Sequence, residues 1–315
     1  MNPEAKNFRA GFCGLIGLPN AGKSSLMNWL IQEKVSIVTA KPQTTRQRVL
    51  GLCTDEKGQV VFIDAPGLLA PRPVRRLGIH AFLEKEALDV INSSDVLLAV
   101  LSVDVDRKED LDEVLGLVER SRKPFAVVLN KRDLAQYSHR RIRIETEIKQ
   151  KFPDVRVFQV STLAEHRRDS DTGEEIIQVL RDLLPPAPGP LYDPELYTPH
   201  ALRELAAELI REQCFLHLHQ EIPFGLAVRI QSFQEDTKSV SRVAADLVVN
   251  HANHKAIVIG KGGAVIKAIG SAARLAMMKL FATKVHLELR VVVRENWSGS
   301  ATIMKELGYV VHNSN

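Results

Sequence analysis

The chain has 315 residues, of which 45% are hydrophobic and 25% charged, with a net charge of +4. That is enough for two compact domains of ordinary globular composition. No apolar stretch approaches the roughly 20 residues of a membrane span, and the first residues lack the apolar segment of a signal peptide. Three widely spaced cysteines imply no disulfide framework, and the histidines show no metal-binding spacing. We therefore expect a cytosolic protein.

The first predicted elements are a strand, a glycine-rich loop and a helix. The apolar run Ala10–Ile16 precedes Gly17–Ser24, which fits G-x-x-x-x-G-K-S, and helical spacing follows. This order is typical of a phosphate-binding loop, in which backbone N–H groups and a helix N-terminus face the phosphates. Lys23 would neutralise the β- and γ-phosphate oxygens, and Ser24 would ligate Mg²⁺. The residues of this segment predicted to contact nucleotide are Gly17, Leu18, Pro19, Asn20, Ala21, Gly22, Lys23, Ser24 and Ser25.

Two further segments are typical of Mg²⁺ and γ-phosphate binding. In the Thr-Thr-Arg sequence at 44–46, Thr45 is the preferred Mg²⁺ ligand and Thr44 the alternative. The strand-like run 59–64 ends in Asp64, whose carboxylate would hold the Mg²⁺ shell. Three residues on, the backbone N–H of Gly67 would sense the γ-phosphate. The predicted metal residues are Ser24, Thr45 and Asp64.

Two more apolar runs, at 95–101 and 124–130, have the length of buried parallel strands. Ligands of such sheets bind beyond the carboxyl ends of the strands. Asp64 and Asn130 lie at those ends. The first half therefore predicts an α/β P-loop domain with a doubly wound, mostly parallel sheet.

The sequence Asn130-Lys131-x-Asp133 is typical of a segment that binds the guanine base. A carboxylate can accept both the N1–H and the N2 amino hydrogens of guanine, whereas adenine has no such donor pair. Ser161 and Thr162 close another apolar run and could offer backbone N–H groups to the guanine O6. These residues narrow the expected ligand from any nucleoside triphosphate to GTP.

A proline-rich segment divides the chain. Residues 172–184 have helical spacing, and five prolines follow between 185 and 194. Prolines at this density favour an extended, stiff spacer. We predict a GTP-binding domain at 1–185, a linker at 186–195 and a second domain at 196–315.

The second half begins with a predicted helix at 200–220 and predicted strands at 224–233 and 244–249. We predict a further strand at 254–259, then a Gly-x-x-Gly turn, a helix over 264–281 and a strand over 285–293. On the helix, Ile266, Ile269, Ala273, Met277 and Leu280 would form the buried stripe. A Gly-x-x-Gly turn followed by an amphipathic helix is typical of a KH domain, whose turn clamps a nucleic-acid backbone.

The charge of this region supports a nucleic-acid partner. Between residues 250 and 294 there are eight Lys and Arg side chains against one acidic side chain, Glu288. A basic surface of this density favours a polyanion. The predicted RNA-binding residues are Gly260, Lys261, Gly262, Gly263, Lys267 and Arg274.

Taken together, these motifs resemble the bacterial ribosome-assembly GTPase family Era over essentially the whole chain. The resemblance extends to 43–46, 192–195, 208–212, 284–289 and 307–309. It implies an α+β KH domain of type II, and a monomer that binds GTP with Mg²⁺ and hydrolyses it slowly. It also implies that the KH domain grips the 3′ end of 16S rRNA during 30S subunit assembly.

The catalytic residues expected from these motifs are Lys23, Thr45, Gly67 and Asn20. Leu68 stands where Ras-like enzymes have a water-orienting glutamine, so we predict a slow intrinsic rate. In related GTPases an asparagine at the position of Asn20 helps to hold K⁺, which makes K⁺ a candidate second cofactor; the alternative is an ordinary loop residue. The sequence also departs from the family pattern at two positions. Ala65 stands where the family usually has threonine, and Thr162 stands where it usually has alanine.

Two alternatives stay open at this point. The protein could act chemically on RNA as a GTPase-coupled modifying enzyme, although no nucleophile pair or one-carbon-cofactor domain is evident. Peripheral contact of basic residues with the inner membrane is a further partner that the sequence leaves open.

Overall fold

The computed structural model describes residues 8–39, 41, 44–67, 78–105, 107–163, 170–236 and 240–309. The chain forms two compact units. The first is built from residues up to Pro199, and the second from His200 onward with the described parts of 37–44 and 75–82. The domain boundaries proposed from the sequence, at 185 and 195, stay predictions.

The first unit contains a six-stranded sheet of order β2-β3-β1-β4-β5-β6. The antiparallel β2–β3 pair forms one edge, and the other neighbouring strands are parallel. The predicted mostly parallel sheet is thereby confirmed. The strands are β1 Arg9–Ile16, β2 Val49–Asp55, β3 Gly58–Asp64, β4 Val96–Ser102, β5 Phe125–Asn130 and β6 Val157–Gln159.

Helices cover both faces of this sheet. Those of the first half are α1 Lys23–Ile31, α2 Ile79–Ser93, α3 Lys108–Ser121, α4 Ser138–Lys151 and α5 Ser170–Leu183. One apolar core packs α1 and α5 against the sheet, and another packs α2, α3 and α4 against the opposite face. Burial on both faces explains why β3 and β4 read as continuous apolar runs. Because the strands are parallel, the ends of β1, β3 and β5 lie at the same edge of the sheet.

The proline-rich segment packs along the first unit. Pro186 pairs with Arg9 at the start of β1, and the Leu52 N–H of β2 donates to the Tyr197 carbonyl at 2.8 Å. The fully buried Gln59 side chain accepts from the N–H groups of Leu191 and Tyr192, at 2.8 and 2.9 Å. Its amide nitrogen donates to the Tyr192 carbonyl at 2.9 Å. The side-chain amide of Gln59 therefore provides hydrogen-bond partners for two backbone N–H groups and one carbonyl of the segment.

We expect Gln59→Leu to release this segment. The leucine has similar volume but leaves two backbone N–H groups and one carbonyl without partners, which should cost about 2–4 kcal/mol of unfolding free energy. Urea unfolding would measure the loss, and chymotrypsin should cleave faster after Tyr192 and Tyr197. The exposed Gln150, on α4, provides the control Gln150→Leu, which should change stability by less than about 0.5 kcal/mol. Equal cleavage rates in the two variants would contradict the anchoring role of Gln59.

The second unit contains a three-stranded sheet of order β7-β8-β9. The strands are β7 Leu226–Gln234, β8 Val240–Val249 and β9 Lys284–Val293, and the helices are α6 Leu202–His217, α7 Ala252–Ile259, α8 Ala264–Phe281 and α9 Ala301–Glu306. β7 and β8 are antiparallel, whereas β8 and β9 are parallel. Residues of α6, α7 and α8 share one apolar core with this sheet. This arrangement confirms the predicted α+β KH class.

The prediction of a strand at 254–259 is wrong, because these residues belong to helix α7. A short apolar run of β-branched residues has the composition of a strand, but periodicity alone does not separate it from a helix. Only Val258 of α7 is buried, and Ile257 is 50% exposed. A helix in which one face is buried forms here because of how α7 packs, and its own sequence does not specify that burial. On α8, Ile269, Ala273 and Met277 are buried as predicted, whereas Ile266 and Leu280 are half-buried.

A sharp break separates α7 from α8. Gly260 ends α7 with φ 73°, and Gly262 and Gly263 have φ 60° and 80°, a left-handed backbone that glycine adopts without strain. The two helical parts meet at a bend of 42°. Within the described residues, no single helix is long and apolar enough to cross a membrane; only this bent pair, taken together, reaches that length and composition.

In the second sheet, Asp246 of β8 lies between two arginines of the neighbouring strands. The Arg229 Nη2 and the Gln231 amide of β7 donate to its Oδ2, the former at 2.9 Å. The Arg290 Nη2 of β9 lies 3.2 Å from its Oδ1. Burial favours a raised pKa of Asp246, but these hydrogen bonds and charges outweigh it and hold the pKa below its usual range.

We expect Asp246→Asn to destabilise the second unit in a pH-dependent manner. A depressed folded-state pKa contributes stability above the unfolded pKa, near 3.9, and that stability is lost as the pH falls through the folded pKa. The variant should lose about 1–3 kcal/mol at pH 7, and the difference from wild type should shrink below about pH 4. Urea unfolding followed by the fluorescence of the buried Trp297, in a Trp29→Phe background, would measure it. Glu288→Gln, on a 70% exposed side chain of β9, is the control; a difference that persists at pH 3 would contradict the prediction.

Candidate nucleotide site and nucleic-acid interface

The glycine loop after β1 is shaped by two close approaches. A Cβ on Gly17 would overlap the Val100 carbonyl oxygen of β4. A Cβ on Gly22, which has φ 93°, would overlap the side-chain amide of Asn130. Helix α1 begins at the next residue, Lys23. The loop therefore brings the N-terminus of α1, where free N–H groups favour an anion, to the carboxyl edge of the sheet.

Lys23 is buried within this loop. Its Nζ donates to the carbonyl oxygens of Gly17 and Leu18, at 3.2 and 3.1 Å. Burial lowers the pKa of Lys23 to about 8, and the nearby charge of Asp64 acts in the opposite direction. A bound polyphosphate would act in the same direction as Asp64 and raise the pKa of Lys23, because its negative charge favours the ammonium form. The side chain is therefore placed to bind phosphate as an ammonium ion.

Three hydroxyl groups converge on one oxygen of Asp64. Asp64 is fully buried at the end of β3, and its Oδ2 accepts from Ser24, from Ser36 at 2.8 Å and from Thr45 at 3.3 Å. Its Oδ1 is buried and has no hydrogen-bond partner among the described residues. Burial raises the pKa of Asp64, against the Lys23 charge and the three hydroxyl groups.

This arrangement fits a magnesium ion. Mg²⁺ prefers oxygen ligands and keeps several waters, binding through one or two protein oxygens and the phosphates of its substrate. The unpartnered Asp64 Oδ1 is an acceptor of the kind that a metal-bound water needs. The hydroxyl groups of Ser24 and Thr45, 3.0 Å apart, provide two neighbouring oxygens.

The two candidate threonines differ in their contacts. The hydroxyl of Thr45 contacts Ser24 and Asp64, as described above. The Thr44 hydroxyl instead lies 2.6 Å from the Thr39 hydroxyl and donates to the Lys41 carbonyl at 2.8 Å. The geometry favours Thr45 over Thr44 as the ligand.

The Asn-Lys-x-Asp segment begins at the last residue of β5 and contacts both the glycine loop and the residues that follow β6. The Asn130 amide donates to the Ala21 carbonyl at 3.0 Å. The Lys131 Nζ forms an ion pair with Asp104 at 2.8 Å, and the Ser161 hydroxyl donates to Asp133 Oδ1 at 2.6 Å. The carboxylate of Asp133 is therefore oriented by Ser161 at the same edge of the sheet as Lys23.

The remaining predicted nucleotide residues lie around these groups. A Cβ on Gly67 would overlap the backbone nitrogen of Pro19, so Gly67 lies directly against the glycine loop. Asn20 is exposed in a turn with φ 63°. The Thr162 hydroxyl lies 3.4 Å from the Asn130 side chain, and Ser25 is half-buried in the first turn of α1. Leu68, on which the expected slow rate rests, lies outside the described residues.

A second candidate site lies between α8 and β9 in the second unit. A groove of about 300 Å³ is lined by Ile266, Lys267, Gly270, Ser271, Arg274, Leu287 and Leu289. The predicted RNA-binding residues Lys267 and Arg274 are exposed on its helix side. An added Cβ at Gly262 or Gly263 would meet nothing within 4 Å, so the backbone is open to approach at these two residues, whereas a Cβ on Gly260 would overlap Val265. An apolar floor with basic walls suits unstacked bases and their phosphates.

Several residues of these sites were not anticipated from the sequence. They are Ser36 and its partner Asn28, Asp104 beside Lys131, and the groove residues Ile266, Gly270, Ser271, Leu287 and Leu289. The alternation of Leu287 and Leu289 could have indicated the face of β9 that meets α8. Ser36 carries no such signal, because a serine in a loop is common.

Fold and site together define a P-loop GTPase whose chain continues into a KH domain. Residues 12–131 match the family described as 50S ribosome-binding GTPase, and residues 221–298 match the KH domain. The chain is 36% identical to the GTPase Era of Desulfovibrio desulfuricans, over 96% of this chain and 97% of that protein. It is also 36% identical to that of Geobacter metallireducens, over 96% and 98%. The chain belongs to the GTPase Era family.

Two solved structures have the same fold over nearly the whole chain. One is a single-substitution variant of Aquifex aeolicus Era bound to GDP·AlF₄⁻, with a TM-score of 0.86, 28% identity and coverage of 96% of this chain and 100% of that one. The other is Era in complex with MgGDPNP and nucleotides 1506–1542 of 16S ribosomal RNA, with the same score, identity and coverage.

Proposed function

We propose that this protein is a GTP-binding and GTP-hydrolysing switch that binds the 3′ end of 16S rRNA through its KH domain and assists 30S subunit assembly. The observation that carries the proposal is the presence of both sites in one chain of this family. The buried Lys23–Asp64 centre serves the nucleotide, and the basic groove between α8 and β9 serves the RNA.

On the nucleotide side, each residue has a separate task. The loop at 17–22 and the N-terminus of α1 bind the phosphates, and Lys23 neutralises them. Asp133 accepts the hydrogens of the guanine edge, and Ser24, Thr45 and Asp64 hold Mg²⁺. Bound there, Mg²⁺ would neutralise negative charge that develops on the phosphates. The Gly67 N–H positions the γ-phosphate.

We expect GTP hydrolysis by the protein alone to be slow, because the Leu68 side chain has no hydrogen-bonding group with which to orient a water molecule. Asn20, exposed in the glycine loop, would hold a K⁺ ion that supplies further positive charge. Turnover should then be several-fold faster in KCl than in NaCl at equal ionic strength, and Asn20→Ala should remove the difference. Equal rates in the two salts would contradict the role of K⁺ without touching that of Mg²⁺.

On the RNA side, the open turn at 260–263 receives the backbone of a single strand. Lys261, Lys267 and Arg274 neutralise its phosphates. The apolar groove floor, formed by residues such as Ile266 and Leu289, accepts the unstacked bases. The relative that was solved with 16S nucleotides 1506–1542 supports this choice of RNA.

The first experiment is binding of a single-stranded 16S 3′-end oligonucleotide at fixed salt, with a GTP analogue, with GDP and without nucleotide. We expect selective binding over a scrambled oligonucleotide of equal length, tightest with the GTP analogue. Equal affinity for both oligonucleotides would contradict the proposed RNA target. Selective binding of equal affinity with the GTP analogue, with GDP and without nucleotide would contradict the proposed switch. The KH domain would then act only as a passive RNA tether. Recovery of chemically unchanged RNA after turnover separates the switch from an RNA-modifying enzyme.

The proposal includes a cytoplasmic monomer that meets the 30S subunit, with peripheral contact of its basic residues at the inner membrane as a weaker second association. Sedimentation with vesicles of anionic and of neutral lipid tests that contact. We expect binding to anionic vesicles at low salt only. Light scattering at increasing protein concentration tests the monomer.

A further inference from the structure

Ser36 lies in the loop that follows α1 and is only 2% exposed. Its hydroxyl donates to Asp64 Oδ2 at 2.8 Å. The adjoining hydrophobic side chains of Val35 and Ile37 are also buried, at 7% and 3% exposure. A buried hydroxyl that donates to a buried carboxylate holds that carboxylate in one orientation, since rotation would cost the hydrogen bond.

The backbone around Ser36 is held by one side chain of α1. The Asn28 Oδ1 accepts from the N–H groups of Val35 and Ser36, at 3.0 and 2.9 Å. The Asn28 Nδ2 donates to the Ser36 carbonyl at 2.7 Å. All three bonds are made by one amide, so the position of Ser36 is set from the same helix that begins at the phosphate loop.

Ser36 differs in role from the other two hydroxyl groups on Asp64. Ser24 and Thr45 also contact Oδ2, but these two are the proposed ligands of the metal. Ser36 is not a proposed ligand, so metal binding does not require its hydroxyl to leave Oδ2. Its hydrogen bond can therefore hold the carboxylate without competing for the metal.

We propose that Ser36 is a positioning residue for the magnesium site. Through its hydrogen bond to Oδ2 it fixes the orientation in which the Asp64 carboxylate meets the metal shell, and Asn28 holds Ser36 in place. The inference rests on the proposed nucleotide function, because it needs a metal–nucleotide complex at this site.

The test uses the full-length protein, a fluorescent GDP analogue and Mn²⁺ as a spectroscopic substitute for Mg²⁺. The affinity of Mn²⁺ for the protein–GDP complex is measured by electron paramagnetic resonance. Nucleotide affinity is measured separately in EDTA. We expect Ser36→Ala to weaken Mn²⁺ binding by about five- to tenfold, the equivalent of one typical hydrogen bond. Nucleotide affinity in EDTA should stay unchanged.

Matched variants separate positioning from a loss of folding. Ser36→Thr keeps the hydroxyl and should restore Mn²⁺ affinity to within about twofold of wild type. Ser94→Ala removes another buried hydroxyl of the same unit, which donates to the Val90 carbonyl at 2.7 Å, and should leave Mn²⁺ affinity unchanged. Asn28→Ala should weaken Mn²⁺ binding in the same direction as Ser36→Ala.

The outcomes distinguish this inference from the proposed function. If wild type binds neither GDP nor Mn²⁺–GDP, the nucleotide function fails. If wild type binds both and Ser36→Ala binds Mn²⁺ equally well, only the role of Ser36 is overturned. A weakened Ser36→Ala that Ser36→Thr does not restore would also overturn it. An unchanged Asn28→Ala would overturn the part assigned to Asn28.

Discussion

Asp133→Asn should change the nucleotide preference of this protein from guanosine to xanthosine triphosphate. The carboxylate of Asp133, held by Ser161 at 2.6 Å, is proposed to accept the N1–H and N2 amino hydrogens of guanine. An asparagine amide would place its own N–H group against one of them. Xanthine has a carbonyl oxygen in place of the amino group and can accept that N–H group. Since a site built for one hydrogen-bond pattern rejects the other strongly, we expect GTP affinity to fall by about 10²–10⁴-fold.

Titration of the wild type and the variant with fluorescent GTP and XTP analogues measures this exchange. Asp154→Asn makes the same chemical change on an exposed loop and should leave both affinities unchanged. Ser161→Ala keeps the carboxylate but loses its orienting hydrogen bond, so it should weaken GTP binding by about tenfold without favouring XTP. If the Asp133→Asn variant still prefers GTP to XTP, Asp133 does not form the proposed hydrogen bonds to the guanine base.

The double substitution Lys261→Asp with Gly262→Asp should remove RNA binding while the fold is retained. A Cβ at Gly262 meets nothing within 4 Å, and Asp tolerates the left-handed backbone at φ 60° better than most residues. Lys261 is exposed at the same turn. Two carboxylates would repel the phosphates that the turn is expected to clamp. We expect affinity for the 16S 3′-end oligonucleotide to fall by about 100-fold or more.

A charge-matched variant controls for long-range electrostatics. Lys305→Asp with Ala301→Asp alters net charge equally, on exposed positions of α9, which does not line the groove. It should weaken binding by less than about fivefold at physiological salt, where distant surface charges are largely screened. The slope of log affinity against log salt should fall by about one unit in the turn variant, for the lost Lys261 contact. Equal losses in the two variants would place the RNA elsewhere.

The nucleotide site could be predicted in large part because its motifs are local. A strand, a glycine loop and a helix follow one another directly at 10–31, and each further motif stands at the end of an apolar strand run. In a parallel sheet, strand ends meet at one edge, so Asp64 and Asn130 could be placed together from their positions alone. The Gly-x-x-Gly turn at 260–263 was predictable for the same reason.

Contacts between distant segments were not predictable in this way. The sequence favoured Thr45 over Thr44 as the Mg²⁺ ligand without specifying any contact, and the 3.0 Å contact of Thr45 with Ser24 depends on the path of the chain between α1 and β2. The error at 254–259 has a related cause, because those residues suit a strand by composition and become a helix through packing.

The sequence alone was sufficient for the two-part fold class, the GTP motifs and the basic character of the RNA-binding half, since local backbone geometry and charge depend on adjacent residues. Three-dimensional packing was needed to place Thr45 against Ser24, to bring Ser36 onto Asp64, to place Gln59 under the proline-rich segment and to form the groove between α8 and β9. Each of these contacts joins residues from separate elements. Their geometry follows from how whole helices and strands pack, which no short stretch of sequence specifies.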